Sequence, residues 1–424
     1  MITAQKSIQQ QLQSKSFARS LAISRFVDLP SNGEGTETTR RRSCERIQKG
    51  QTNAHKLASW HEWLLTLAGN KSARFVAAKL QYRMIINSGG SALENGGLCL
   101  DRISGVPYIP GSAIKGAARR MAIQELLECD SVEEKTKKLT QIARVFGWGT
   151  NEWKSGRNRN GQPDSDFWWA MAQDDGSDPN ELDQKRNEYW EAVEPKVKDN
   201  LLTELSHEKF VQNYAGSLCF LPAYPEKDPG IDLDIVTCHH PDYYKGERES
   251  ALDDEDPNPV VFTCVSADKQ PRFIFPVLSH PRQSAHEDVE TASQWLRHAL
   301  EIFGIGGKTN AGYGWFVDDS QNYSDELEKR VKEKRQKEIE AEEEAKKSPY
   351  EKAKDNIANM AKMDEQAFAD YAKALENKST EEQQAFLEVL KRSELKTKRK
   401  NWQKRKPQLW EPCQNVAKTL NIDL

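Results

Sequence analysis

Nowhere in these 424 residues is there an apolar run long enough to span a bilayer, which excludes a transmembrane helix of ordinary length. Cysteine is sparse. The seven (Cys44, Cys99, Cys129, Cys219, Cys238, Cys264 and Cys413) lie far apart, with no C-x-x-C pair and an odd count. That pattern excludes a zinc ribbon, argues against a disulfide framework and points to a reducing cytoplasm. Apolar residues are few, 37% against 30% charged, so part of the chain is expected as solvated helix or loop. Excess positive charge is missing as well. With a net charge of −4, a nucleic-acid site must come from where basic residues cluster and not from their sum.

What is present reads as two or three folding units. Residues 1–52 combine a Gln-rich, basic start with "SNGEGTETTRRRSCER" and are expected to be a flexible basic arm; the start reads as a flexible arm or a partner-binding helix and not a transit peptide, because it is Gln-rich and has no long apolar stretch. "NAHKLASWHEWLLTLAG" has helical spacing ending at Gly69, and "SARFVAAKLQYRMIINSG" alternates as one long strand up to Gly89 and Gly90. Helices follow in "SAIKGAARRMAIQELLE" and "VEEKTKKLTQIARVFG". Residues 148–214 read as a polar insertion in which Lys154, Arg157 and Arg159 are interleaved with tryptophans. Strand character resumes in "GSLCFLPAYP", "IDLDIVTC", "NPVVFTCVSA" and "PRFIFPVLS", before the amphipathic "EDVETASQWLRHALEIFG" and a closing strand. Without insertions the order is strand, helix, strands, helix, strand, the pattern of an α+β, ferredoxin-like core that also underlies RNA-recognition modules. This core is assigned to 53–319, and the charge-alternating remainder, 320–424, to a helical C-terminal extension whose basic run from Lys391 to Lys406 surrounds Trp402.

Three stretches carry chemistry. In "GLCLDRISGVPYIPGSAIKGAARR", residues 97–120, a helix begins just after Pro110. Its free first-turn amides attract anions, Gly111 lets a phosphate come close, and Ser112, Lys115 and Arg119 project from one edge. An ordinary capped turn is the alternative. "FGIGGKTNAGYGWF" holds Gly304, Gly306, Gly307, Gly312 and Gly314. Its "GKT" is not a nucleotide-phosphate loop, since Ile302 replaces the required earlier glycine and a helix precedes the loop. Its amides, with Lys308, Asn310 and Tyr313, are expected along a sugar-phosphate chain, the alternative being a helix cap followed by a bulged strand. "IDLDIVTCHHPDYYKGE" gathers Cys238, His239, His240, Asp242, Tyr243 and Tyr244. Adjacent residues of an extended segment point to opposite sides and do not chelate one ion, so no metal and no cofactor are expected. The imidazoles titrate near neutrality and offer general acid and base chemistry for RNA cleavage, whereas the tyrosines offer stacking or packing.

Together, and in this order, these stretches and "DDEDPNPVVFTCV" resemble the RAMP-superfamily proteins of type III-B CRISPR effectors, the Cmr complexes, and among them the family of sixth subunits. The resemblance covers about residues 75–318. It implies a non-catalytic, RNA-binding protein near the 3′ end of the CRISPR RNA in a cytoplasmic antiviral ribonucleoprotein, beside the backbone RAMP subunit and the first Cmr subunit, with target RNA as a further partner and no membrane. Carried over to this chain, it implies RNA contacts at Ser112, Lys115 and Arg119, and at Gly304, Gly306, Gly307, Lys308 and Asn310. His239, Asp242 and Tyr243 match an aromatic-acidic stretch of unassigned role. The arginine-rich arm, the 148–214 insertion and the tail depart from the pattern. A metal-independent endoribonuclease using His239 or His240 is the rival expectation.

Overall fold

The computed structural model describes residues 18–25, 36–87, 89, 98–206, 209–251, 258–280 and 286–424. They form two units, Met1–Glu328 and Lys329–Leu424. The first opens with helices α1 (Arg19–Arg25), α2 (Thr36–Lys49) and α3 (Ala54–Leu67). Next come β1 (Ala73–Leu80), α4 (Gly111–Leu127), α5 (Val132–Phe146), the single turn α6 (Asp166–Trp169) and the long α7 (Pro179–Glu204). Strands β2 (Leu218–Phe220), β3 (Tyr224–Pro225) and β4 (Ile231–Cys238) lead through a one-turn α8 (Pro241–Tyr244) to β5 (Asn258–Val265) and β6 (Arg272–Ser279). The helix α9 (His286–Ile302), the strand β7 (Phe316–Asp318) and the helix α10 (Ser320–Lys346) follow.

Antiparallel pairing makes one sheet in the order β2, β6, β1, β7, with β3 also on the outer edge of β6. The period-two alternation in β1 sorts its side chains between two cores. Val76, Ala78 and Leu80 join Phe273, Phe275 and Phe316 under α4 and α9. Those two helices pack against each other, and Ala118 and Ala122 of the one and Ala292 and Ala299 of the other are buried in this core. Ala77 and Ile274 face the opposite way, under Leu64 of α3 and Tyr323 and Leu327 of α10. A separate hairpin pairs β4 with β5 in antiparallel register.

Three expectations change. The long strand ends at Leu80, because Met84 leaves the sheet to bridge Val265 at the end of β5. The arm is folded where it is described. Cys44 and Ile47 of α2 are fully buried, and the Glu37 carboxylate accepts from the Val261 amide at 3.1 Å. The calls on residues 1–17 and 26–35 lie outside the described residues. In the 148–214 insertion the tryptophans do not stand among the cations but face inward: Trp148, Phe167, Trp168 and Trp190 are buried in the main core and Trp153 packs edge-on against Phe167.

In the second unit, α11 (Pro349–Met363), α12 (Glu365–Lys373), α13 (Thr380–Lys391), α14 (Lys396–Arg405) and α15 (Pro407–Thr419) bury Phe368, Phe386, Leu390, Trp402, Leu409 and Cys413 in a core of their own. Capping boxes start α11 (Ser348 with Glu351) and α13 (Ser379 with Glu382), and the Asp364 side chain caps α12, which satisfies amides that a helix start leaves open.

Candidate nucleic-acid interface

The glycine-rich segment is a loop pinned at both ends. After α9 the chain turns at buried Gly304; the Ile305 amide donates to the Gly314 carbonyl, the Gly307 amide to Ile85 and the Gly314 amide to Arg83, each at 2.8 Å. A β-carbon on Gly314 (φ +69°) would lie 2.0 Å from the Ile305 oxygen, and one on Gly306 (φ +102°) 2.3 Å from the Ile85 oxygen. These glycines are therefore demanded by backbone crossing backbone. Of the amides expected along a sugar-phosphate chain, those of Gly307 and Gly314 are thus already taken by backbone carbonyls.

Tyr313 is corrected too. It is buried against Ile85, Phe262 and Cys264, and its phenol donates to the Asp234 carboxylate, which also accepts from Arg83 at 2.7 Å. Burial pushes the Asp234 carboxyl up, but the bonds from Tyr313, the Ile235 amide and Arg83 outweigh it and hold its pKa below the usual value. Burial, reinforced by Asp234, raises the Tyr313 phenol. This buried cluster ties the loop to β4 and leaves no ring face at position 313 for a base.

Between the pins the tip is open. Gly306, Lys308, Asn310 and Ala311 are exposed, and a single 3-10 turn spans Thr309–Ala311 behind Lys308, whose backbone is left-handed (φ +57°). Among the described residues, the amides of Gly306, Lys308, Thr309 and Asn310 make no hydrogen bond. The Lys308 ammonium lies 5.5 Å from the centre of the Phe262 ring. Two exposed aromatics missed in the sequence flank this turn. Tyr82, 46% exposed, stands edge-on to Tyr313 and 3.9 Å from where a β-carbon of Gly312 would be. Trp315, 38% exposed, donates its indole N–H to the Thr309 carbonyl at 2.9 Å. One signal for Trp315 was available. Counting alternation back from the buried Phe316 places it outward.

The turn before α4 is different. A β-carbon on Gly111 would sit 2.1 Å from the Phe220 carbonyl oxygen, so strand β2, and not a phosphate, occupies the space that this glycine leaves. Ser112 is exposed and does not cap, the N-cap being Pro110 without a side-chain bond. The Lys115 ammonium donates to the Ala215 carbonyl at 3.1 Å, and burial together with nearby Arg119 lowers its pKa. Arg119 donates to Asp166 at 2.5 Å and lies 5.2 Å from the Phe167 ring. Both cations are engaged with the 148–214 insertion and the segment just after it, which corrects the phosphate cradle. The exposed cation of this helix is Arg120, 4.1 Å from the ring of Phe303, the residue before Gly304.

Among the other candidates, Arg157 is held by Asp183 through two bonds and by the Gly161 carbonyl, whereas Lys154 and Arg159 are exposed and make no ion pair among the described residues. His239 and Tyr243 are exposed beyond the end of β4, with Tyr243 edge-on to Tyr244 at 5.6 Å. Among the described residues no group of His, Cys, Asp and Glu could hold a metal ion, and no helix is long and apolar enough to cross a membrane.

The sequence model of the RAMP superfamily matches residues 78–317, from β1 to β7. A curated relative, the CRISPR system Cmr subunit Cmr6 of Pyrococcus furiosus, is 26% identical over 249 residues, which are 57% of this chain and 66% of the relative. The chain thus spans just under two thirds of that protein's length. Solved structures with a similar chain include a type III-B Cmr-beta complex bound to cognate target RNA (16% identity, 69% of this chain and 77% of that one, TM-score 0.39). Another is Cmr6 from Pyrococcus furiosus (24% identity, 58% of this chain and 97% of that one, TM-score 0.29). With more than half of its length matched by the family, from the first strand of the sheet to the last, the chain belongs to the RAMP superfamily.

Proposed function

We propose that this chain is a non-catalytic, RNA-binding subunit of a type III-B CRISPR effector, in which it holds the CRISPR RNA near its 3′ end and helps assemble the RNA-targeting complex with the backbone RAMP subunit and the first Cmr subunit. Family membership and the similarity to the Cmr6 of Pyrococcus furiosus support the class. The strand order, with α4 and α9 on one face, supports a ferredoxin-like core.

The observation that carries RNA binding is the Lys308 turn: a lysine, open amides and Asn310 for phosphates and hydroxyls, with Tyr82 and Trp315 beside them for base stacking. Such contacts read backbone and ring faces and not base edges, as a subunit that accepts interchangeable guides requires. No pair of groups suited to acid and base work is needed for this role, so the chain is read as a binder. In complexes assembled with the cognate subunits, Lys308→Glu combined with Tyr82→Ala is expected to reduce CRISPR RNA retention at moderate salt; unchanged retention overturns the assignment. Purified wild-type chain is expected to leave guide precursor and target RNA intact. Cleavage that His239→Ala or His240→Ala abolishes would establish the endoribonuclease instead.

A further inference from the structure

Helix α14 lacks the capping and first-turn acids that α11, α12 and α13 have. Nine of the sixteen residues from Lys391 to Lys406 are lysine or arginine, and one, Glu394, is acidic. The inner face is fixed. Trp402 is 2% exposed and packs 5.6 Å from the Phe368 ring, while Lys398 lies over that ring and faces Glu365 at 3.5 Å. The outer face carries Lys396, Lys400 and Lys404, a row with about 6 Å of rise between successive members, continued by Arg405 and Lys406. All five are exposed and none makes an ion pair among the described residues.

Like charges four residues apart weaken a helix, and cations in its first turn oppose the dipole. Yet α14 has no acidic residue in its first turn and no side-chain cap, in contrast to α11, α12 and α13. A repulsion left uncompensated within the chain, on a face held outward by a buried tryptophan, fits an external polyanion. No large apolar side chain is exposed on α14; those exposed in this unit, Ile339 and Met363, belong to α10 and α11. Protein interfaces are anchored by such side chains, whereas phosphates need only the charge.

We infer that the Lys396–Lys400–Lys404 row is a second polyanion-binding surface, whose ligand is an RNA strand held through its phosphates. The choice of RNA rests on the function proposed above; the charge of the face does not. The test measures affinity of the full-length chain for a poly-uridine RNA against salt, for wild type, for Lys396→Gln with Lys400→Gln and Lys404→Gln, and separately for Lys308→Glu. Three lost phosphate contacts are expected to reduce the magnitude of the log–log salt slope by about 2, at roughly 0.7 each for a single strand. Without RNA the glutamine variant is expected to melt higher than wild type, because the repulsion is gone; this also shows that it folds. Wild-type affinity and slope in that variant overturn the inference. Poly-glutamate that shields these lysines from acetylation as well as RNA does overturns RNA as the ligand in favour of an acidic protein. A null result confined to Lys308→Glu counts against the loop alone.

Discussion

The carbonyl oxygen of Ile305 lies 2.0 Å from the position that a β-carbon on Gly314 would take, and the Ile305 amide donates back to the Gly314 carbonyl. Gly314→Ala is therefore expected to destabilise the first unit by about 3 kcal/mol through clash and a positive φ, read as a lower denaturation midpoint. Gly307→Ala serves as the contrast. Its nearest neighbour would be 3.7 Å away, and its midpoint is expected to stay close to wild type.

Arg119 and Arg120 are adjacent but separable. Arg119→Ala removes the bond to Asp166 and the contact with Phe167, at a cost of about 1–3 kcal/mol in stability, with little effect on the salt slope of RNA binding. Arg120→Glu should do the opposite, weakening RNA binding while leaving the melting curve in place. Reversed outcomes would return the phosphate contact to Arg119.

Stacking and charge are distinguished by salt. Tyr82→Ala or Trp315→Ala is expected to lose about 1–3 kcal/mol of RNA affinity, as for one unstacked base, with the slope of affinity against salt unchanged. A shift in slope without loss at high salt would argue that these rings do not touch bases.

Asp101 sets an acid limit on the first unit. Burial pushes its carboxyl up, but bonds from Lys56 (2.8 Å), the Ser104 amide and hydroxyl (2.8 and 2.9 Å) and the Ile103 amide (3.0 Å) prevail and bring its pKa to about 2. The folded value lies below the unfolded value of about 3.9, so the stabilisation is present above that value and is lost as pH falls toward 2. Asp101→Asn is expected to cost about 2 kcal/mol at neutral pH and to flatten the acid limb of stability against pH. An unchanged acid limb would show that the carboxylate is not the group responsible.

Much of the framework could be read from local pattern. Helical spacing marked α4, α5 and α9, alternation located β1 but ran past its end at Leu80, and glycine density located the loop. The purpose of each glycine was not visible, because a missing β-carbon serves a crossing backbone and an approaching phosphate equally well. Lys115 and Arg119 misled for a related reason. Their partners, Ala215 and Asp166, lie 100 and 47 residues away in sequence, so helical spacing could show that the two cations share an edge but not that protein already fills it. Tyr313 and Trp315 are two residues apart in one motif; alternation back from Phe316 turns Trp315 outward, whereas the inward turn of Tyr313, in the loop before β7, is visible only in the fold.

The most direct test is the salt dependence of RNA affinity for Lys308→Glu against wild type in the full-length chain. A salt slope smaller in magnitude by roughly 0.7 or more, with the melting temperature unchanged, is the predicted result. An affinity and slope equal to wild type would contradict the placement of RNA at the Lys308 turn.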